Sequence, residues 1–443
     1  MKQLKTDLLI IAAFLAVLAA CNPDERLSEE PVVRIVPVDT GWAQSSINAV
    51  IFRQNSIISR DSLQFTGYYD EEGTVVLARR EIENTEWDVI PTRFEGDVRD
   101  AHNNISLGLD GDGYLHMVWG LHGFPIRYVQ SLEPWSLELT DPLEMTGESE
   151  SAVTYPQFYT LEDGDLLFVY REGGSGNGNV MMNRFHTETR KWVPLHHPLI
   201  DGEGERNAYI NPVAIDGEGG WHISWNWRNT PDVATNHNLS YAYSPDEGES
   251  WYDSSGESYE LPITYENSEI VREIPQNREL INQTSMTTDS GGNPFIVTYW
   301  RPEGSETPQF HLVWQNRETG IWNTSQVGDR QTPFSLSGMH TRRIPISRPL
   351  VVAGPDDCIY VVFRDFERGG GISLASAEPP DYIEWSITEL DTASVGLWEP
   401  TYDPAAWRNH TQLHLFRQRV GQGDGETLED IPPQEISILE WIP

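Results

Sequence analysis

The 443-residue chain contains two cysteines, so no network of disulfides can hold it together. One of them, Cys21, closes an apolar run near the start, which leaves Cys358 without an intrachain partner. Positive charge is scarce. Thirty Lys and Arg stand against 68 Asp and Glu, a formal net charge of −38. A surface of that sign repels phosphate backbones, which excludes nucleic acid as a partner. An anionic ligand would need a local basic pocket working against the global field. Helical periodicity is nearly absent after residue 21. The run from Leu8 to Ala20 is too short for a comfortable membrane span.

That run follows Lys2 and Lys5 and ends in Leu18-Ala19-Ala20-Cys21, the pattern of a bacterial lipobox. Residues 1–20 are therefore expected to be a lipoprotein signal peptide, with Cys21 acylated as the mature N-terminus. Residues 21–38, rich in Pro, Glu and Asp, read as a flexible tether, and 39–443 as the folded domain. Asn22 after Cys21 resembles the Gram-negative signal for the outer membrane. The expected product is an exported monomer that meets the membrane only through its lipid.

What the chain has in abundance is one phrase, an Asp/Gly-rich turn followed by an alternating aromatic strand. It starts at Asp70, Asp110, Glu162, Asp216, Asp289, Gly354 and, more weakly, Arg408. The spacing, from about 40 to about 70 residues, is the blade range of propellers with loop insertions. Most copies continue into a second strand and a tryptophan that opens a third, as from Met181 to Trp192 and from His311 to Trp322. Turn, strand, strand and Trp-strand make a four-stranded antiparallel blade. The expected fold is all-β, a seven-bladed β-propeller of four-stranded antiparallel blades. Ser244-Pro-Asp-Glu-Gly-Glu-Ser-Trp251 matches the Asp-box turn, which signals fold and says little about chemistry.

Chemistry concentrates in the second and third repeats. His102 precedes the second blade's turn, and His122 lies in the hairpin after that blade's strand. Both positions open toward the axis of a propeller, so the two can meet although 20 residues apart. His116 and His222 share one register inside alternating strands and read as packing residues. In the third blade Tyr155 begins an inner strand and Arg171 ends the next, followed by the Gly-rich Gly173–Gly178. This is not a phosphate loop, because no helix with Lys-Ser/Thr follows.

Two His, a Tyr and an Arg suit proton abstraction beside a carboxylate. In a uronic acid the C5 proton is weakly acidic, and its removal builds charge that a guanidinium can grip bidentately. Histidine titrates near neutrality, and tyrosine becomes a usable base beside cations. No metal cofactor is needed if arginine neutralises the carboxylate.

The segments "DAHNNISLGLDGDGYLHMVW", "HGFPIRY", "TYPQF", "GDLLFVYREGGSGNGN" and "PISRP" resemble the BNR-repeat polysaccharide lyases that cleave ulvan. Family 25 is the nearest match, and family 24 is a relative. The resemblance implies β-elimination at the uronic acid of ulvan, a sulfated rhamnose–uronate algal polysaccharide, leaving 4,5-unsaturated ends. It makes Arg171 the carboxylate-neutralising residue and Tyr155 the acid and a candidate base. His102 is then a base or an activator, and His122 orients substrate or shares the proton work. Tyr209 is a further substrate contact, with Arg228 and His237 as lining residues. The family also has members with a structural divalent metal, for which Cys358, His340, His410 and His414 are the soft residues available; their spacing matches no zinc motif. Two alternatives stay open: a sialidase-like glycoside hydrolase, for which Arg301, Arg342, Arg343, Arg348 and Arg364 are available but form no matching constellation, and a non-catalytic surface glycan-binding propeller.

Overall fold

Seven antiparallel sheets follow one another along the chain, one for each copy of the repeated phrase. The structure is a computed structural model and describes residues 31–443 except 317 and 318. The expected signal peptide, Cys21 and the first part of the expected tether lie outside the described residues. Six blades are continuous in sequence: Ile57–Glu95, Ile105–Gln130, Val153–Ile200, Asn207–Arg272, Ser285–Val327 and Leu350–Asp391. The seventh is built from both ends of the domain. Leu413–Gln418 pairs with Gln434–Ile442, which pairs in turn with Val32–Gly41. The N-terminal strand thus closes the ring as the outer strand of the last blade.

The folded domain therefore begins at Val32, ahead of the expected boundary at 39. Only Val36 and Gly41 of that strand are buried. An exposed outer strand lacks the clean alternation by which strands are read from sequence.

The repeated turn has one physical cause. Asp70 Oδ1 accepts the N–H groups of Glu72 and Thr74, and Asp110 does the same for Asp112 and Tyr114. Asp216 serves Glu218 and Gly220, and Asp289 serves Gly291 and Asn293. One carboxylate satisfies two amides that the turn would leave unpaired. The Asp box behaves likewise: Asp246 accepts the Ser250 N–H, and buried Trp251 donates from Nε1 to the Gly248 carbonyl.

Two blades fall short of four strands. In blade two the fourth strand shrinks to isolated bridges, Ser131 to Leu139 and Tyr128 to Leu143. Pro134 and Pro142 have no N–H to offer a ladder, and Trp135 between them lies in a turn with φ 63°. In blade seven the weak copy at Arg408 is a short helix, Pro404–His410, capped by Asp403 on the N–H groups of Ala405 and Ala406. Proline in the first helical turn suits such a start. The inner-strand position there is held by a single bridge, Tyr402 to Leu415.

Apolar burial occurs between neighbouring blades. Phe65, Tyr69 and Leu77 of blade one pack with Leu107 and Met117 of blade two, and Leu167 and Met182 of blade three with Ile223 and Trp225 of blade four. Each blade buries both faces against its neighbours, so polar side chains can collect at the axis without weakening the core.

Candidate active site

His122 leaves the sheet of blade two. The short strand His122–Phe124 pairs instead with the inner edge of blade three, Val153–Thr160. This turns its ring onto that of His102, in a parallel stack with centroids 4.1 Å apart. Asp100 bridges them, with Oδ1 2.8 Å from His102 Nδ1 and Oδ2 2.5 Å from His122 Nδ1. Burial opposes ionisation of Asp100, yet hydrogen bonds and charge from both imidazoles hold it well below the usual carboxylate range. An ionised carboxylate only accepts, so Nδ1 of each ring carries the hydrogen and each Nε2 is left for the cleft.

The two histidines then diverge. Burial resists a charge on His102, but Asp100 and Glu426, whose Oε1 lies 3.5 Å from Nδ1, raise its pKa to about 9. For His122, burial and the neighbouring His102 push the pKa below its ordinary value and outweigh Asp100. At neutral pH His102 is charged and His122 is neutral, with an unprotonated Nε2. Pairs pushed apart in this way are acid–base candidates.

Tyr155 sits at a break in register between Thr154 and Gln157, with φ 57°. Pro156 has no N–H for the ladder, so the strand bulges and re-aims the tyrosine. Its ring lies 5.7 Å from His102 and 5.4 Å from Phe52. Burial and neighbouring Tyr209 raise its pKa, against the pull of Arg171, Arg228 and Arg348, so the phenol keeps its proton. Arg171 lies 4.9 Å from that ring and donates to Thr154 Oγ1 at 2.9 Å, while its buried Nε has no protein partner. The Gly-rich segment serves this arginine. A Cβ on Gly178 would come within 2.8 Å of Arg171 Cδ and 2.4 Å of Asn207 Oδ1.

Blade four adds Tyr209 and Arg228, held together at 3.0 Å from Nη1 to the phenol oxygen. Ser175 reaches the same oxygen at 2.7 Å. Burial opposes ionisation of Tyr209, but Arg228 and Arg171, with Ser175 and His102, bring its pKa below the ordinary phenol. Arg228 is fixed by Asn236 and Asn282, at 2.6 and 2.7 Å. Among the described residues neither Arg171 nor Arg228 has a carboxylate partner. Glu172, the neighbour that could have neutralised Arg171, accepts from Ser151 and Ala152.

These side chains line one cavity of about 160 Å³. Of the residues predicted from sequence, His102, His122, Tyr155, Arg171, Tyr209 and Arg228 all meet there. His237 does not. It packs on Tyr265, and its Nδ1 meets the Thr235 carbonyl. Asn236 faces Arg228, and the next side chain along a strand points the other way. The prediction missed Asp100, Phe52, Glu426 and the segment that brings His340, Arg342 and Arg348. Arg348 stands in the quoted "PISRP", and its charge is taken by Glu399 at 2.9 Å. Of the other arginines weighed for a hydrolase, Arg301 pairs with Glu279, Arg343 with Glu429, and Arg364 donates to backbone carbonyls.

Asp100, His102 and His122 are the one trio of potential metal ligands whose donor atoms gather within 4.8 Å among the described residues. Both Nδ1 atoms already face Asp100, so hydrogen bonding accounts for their spacing. Cys358, His340, His410 and His414 do not gather. His414 contacts Gln64 and Gln412, Cys358 lies beside Tyr360, and His340 lines the cleft. Those four do not fit a shared metal.

Fold and cleft together define a repeat propeller with a buried, acid–base-capable site. The chain belongs to the BNR repeat-containing family, whose profile matches residues 63–330. It is related to the ulvan lyases. It is 28% identical to the short-isoform ulvan lyase of Alteromonas sp. (strain LOR) over 314 residues, 56% of this chain and 57% of that protein. Against an ulvan lyase of Nonlabens ulvanivorans it is 23% identical over 266 residues, 52% of this chain and 55% of that protein. The chain thus spans just over half the length of these curated relatives and under a third of long-isoform ulvan lyases. Among solved structures, a polysaccharide lyase superposes with a TM-score of 0.69 at 17% identity, covering 94% of this chain and 99% of that one. A family 25 ulvan lyase bound to -[GlcA(1-4)Rha3S]- gives 0.65 at 13% identity, covering 91% and 95%. At these identities the likeness concerns the fold.

Proposed function

We propose that this protein is a polysaccharide lyase that cleaves ulvan, or a closely similar sulfated uronate polymer, by β-elimination. The observation that carries this reading is the pair of buried guanidiniums, Arg171 and Arg228, without carboxylate partners among the described residues in a chain of net charge −38. Buried cations of this kind call for an anionic group on the ligand. A uronate carboxylate fits their planar, bidentate geometry. The names of the relatives and the oligosaccharide bound to a structural neighbour agree with that ligand class.

In this reading the neutral His122 Nε2 removes the C5 proton. The electron pair of the C5–H bond forms the C4=C5 double bond, the C4–O4 bond breaks, and Tyr155 gives its proton to O4. Arg171 and Arg228 stabilise the charge that builds on the carboxylate, and charged His102 adds to the same field. Because arginine carries this load, the step asks for no metal. Distinct acid and base groups suit a uronate whose H5 and O4 lie on opposite ring faces. Where both lie on one face, as in glucuronate, Tyr155 can serve both transfers, so iduronate linkages should depend more strongly on His122.

The test is direct. Incubation with ulvan should release products with the ultraviolet absorbance of a double bond conjugated to a carboxylate. Polymer that stays bound with no rise in absorbance would overturn the lyase reading and favour a glycan-binding propeller. New reducing ends without that absorbance would favour a hydrolase.

A further inference from the structure

A second cleft opens between the outer strand of blade four, Ile270–Arg272, and the strands of blade five, and it shares no residue with the first. Its volume is about 510 Å³, against about 160 Å³ for the cleft at the axis. Trp300 ends the second strand of its blade, as Arg228 ends the second strand of blade four. Second strands of successive blades run in the same direction, so the Trp300 end of this cleft lies on the face that carries Arg228, and from there the cleft follows the outer strand to Trp322.

The floor is aromatic. Trp300 and His311 stack at 3.7 Å between centroids with their planes 14° apart. Burial, helped by Arg272, depresses the His311 pKa to about 3, so the ring is neutral, and its buried Nδ1 makes no well-formed hydrogen bond. Half-buried Trp322 forms a wall, its Nε1 committed to Ser254. Exposed Arg272 projects over Trp300, with its guanidinium carbon 5.8 Å from the ring centroid. Among the described residues no carboxylate lies in ion-pair range of Arg272. Glu303 and Gln326 complete a polar rim able to meet sugar hydroxyls.

We propose that this cleft is a second binding site for anionic polysaccharide, in which Arg272 holds a sulfate or carboxylate and the half-buried Trp322 indole carries the apolar face of the sugar, beside the buried Trp300–His311 stack. On so acidic a surface an arginine without a carboxylate partner among the described residues favours an anionic sugar over a neutral one by charge complementarity. A polymer bound at the Arg272 end of this cleft and at the axial cleft would be held at two points, which raises the effective concentration of the chain at the axis. The identity of the polymer rests on the proposed function; the existence of the site does not.

The test uses native gels cast with ulvan, with alginate (uronate without sulfate) or with carrageenan (sulfate without uronate). The protein carries Tyr155→Phe to prevent turnover. Arg272→Gln and Trp322→Ala, made separately in that background, should each weaken retardation at least about threefold in one or more of the anionic gels. Arg272 is exposed, so its variant should fold normally, and the thermal midpoint checks this for both. In the otherwise native protein, Arg272→Gln should leave turnover of short oligosaccharides within about twofold and slow only the polymer. Equal retardation of parent and both variants in all three gels, or no retardation of the parent, would overturn the site. If the native protein releases no unsaturated product but the Arg272 effect on retardation remains, the lyase reading fails and the second site stands.

Discussion

Two sets of histidines in this molecule use the same chemistry to opposite ends. In the blade interior, His116 meets Tyr128 through Nδ1 at 2.8 Å and Asp110 through Nε2 at 3.2 Å. His222 repeats the arrangement with Tyr241 and Asp216, at 2.7 and 3.0 Å. Both ring nitrogens are engaged and both side chains are fully buried, so each imidazole ties a turn to a neighbouring strand. At the axis, His102 and His122 share one carboxylate through Nδ1 alone. The difference is one nitrogen per ring. A histidine satisfied on both sides is a strut, whereas one fixed on a single side is an oriented acid or base.

The strongest test of that distinction removes the groups proposed to meet substrate. Arg171→Ala should lower turnover of ulvan by about 10²- to 10³-fold, the usual cost of losing a preorganised charge-stabilising donor. Tyr155→Phe removes the proton given to O4 and should cost about 10²- to 10⁴-fold. Circular dichroism should remain native in both. If both variants kept full rate while folded, the axial cleft would not be the seat of catalysis.

Asp100→Asn comes next. It leaves both rings without the carboxylate that orients them, and a loss on the order of 10²-fold in kcat is expected. The pH profile is the sharper readout. If the proposed lyase reading holds, the native protein should lose activity on the alkaline side near pH 9, as His102 gives up its proton. Without Asp100, burial dominates and pulls that limb down. Stability follows the same sign. A raised pKa means that charged His102 contributes fully below its unfolded value, about 6.5, and that this contribution disappears as pH rises through about 9. The difference in stability between native protein and Asp100→Asn should therefore narrow above that pH.

Which parts of this site could be read from sequence follows from how each is built. The Asp/Gly turns are local chemistry, one carboxylate on two amides a few residues away, and they repeat visibly. His102 and His122 flank one blade, and a propeller sends both flanks to the axis. Glu426 and the segment around Arg342 and Arg348 reach the cleft from distant parts of the chain. No spacing announces such a contact; only closure of the ring creates it. The closing strand from Val32 was hidden for a related reason, since an outer strand needs little apolar patterning. His237 marks the opposite limit. It stands next in sequence to Asn236, which holds the cleft residue Arg228, and strand alternation turns it away.

The interior histidines should fail in a different currency. His116→Ala takes one hydrogen-bond partner from Asp110 and one from the Tyr128 hydroxyl in a fully buried site. Losing two buried hydrogen bonds and opening a cavity together cost roughly 3 kcal/mol. The midpoint of denaturation should fall accordingly, while kcat of the folded fraction stays near native. A loss of kcat without a loss of stability would erase the line between strut and catalyst.

The smallest effect should come from Glu426→Gln, and it bears on whether the axial pair depends on one carboxylate or two. Glu426 Oε1 lies 3.5 Å from His102 Nδ1, beyond the 2.8 Å at which Asp100 sits. The same oxygen accepts the Thr341 N–H at 2.8 Å, a role that glutamine can keep. A charge contact of that length in a partly solvated site is worth about 1 kcal/mol or less. Turnover at neutral pH should therefore fall by no more than about fivefold, with the alkaline limb moved down by less than Asp100→Asn moves it. Should the two variants prove equally damaging, the proton on His102 is held by both carboxylates. Ring closure, which delivers Glu426, would then be as much a part of the site as the loop that carries Asp100.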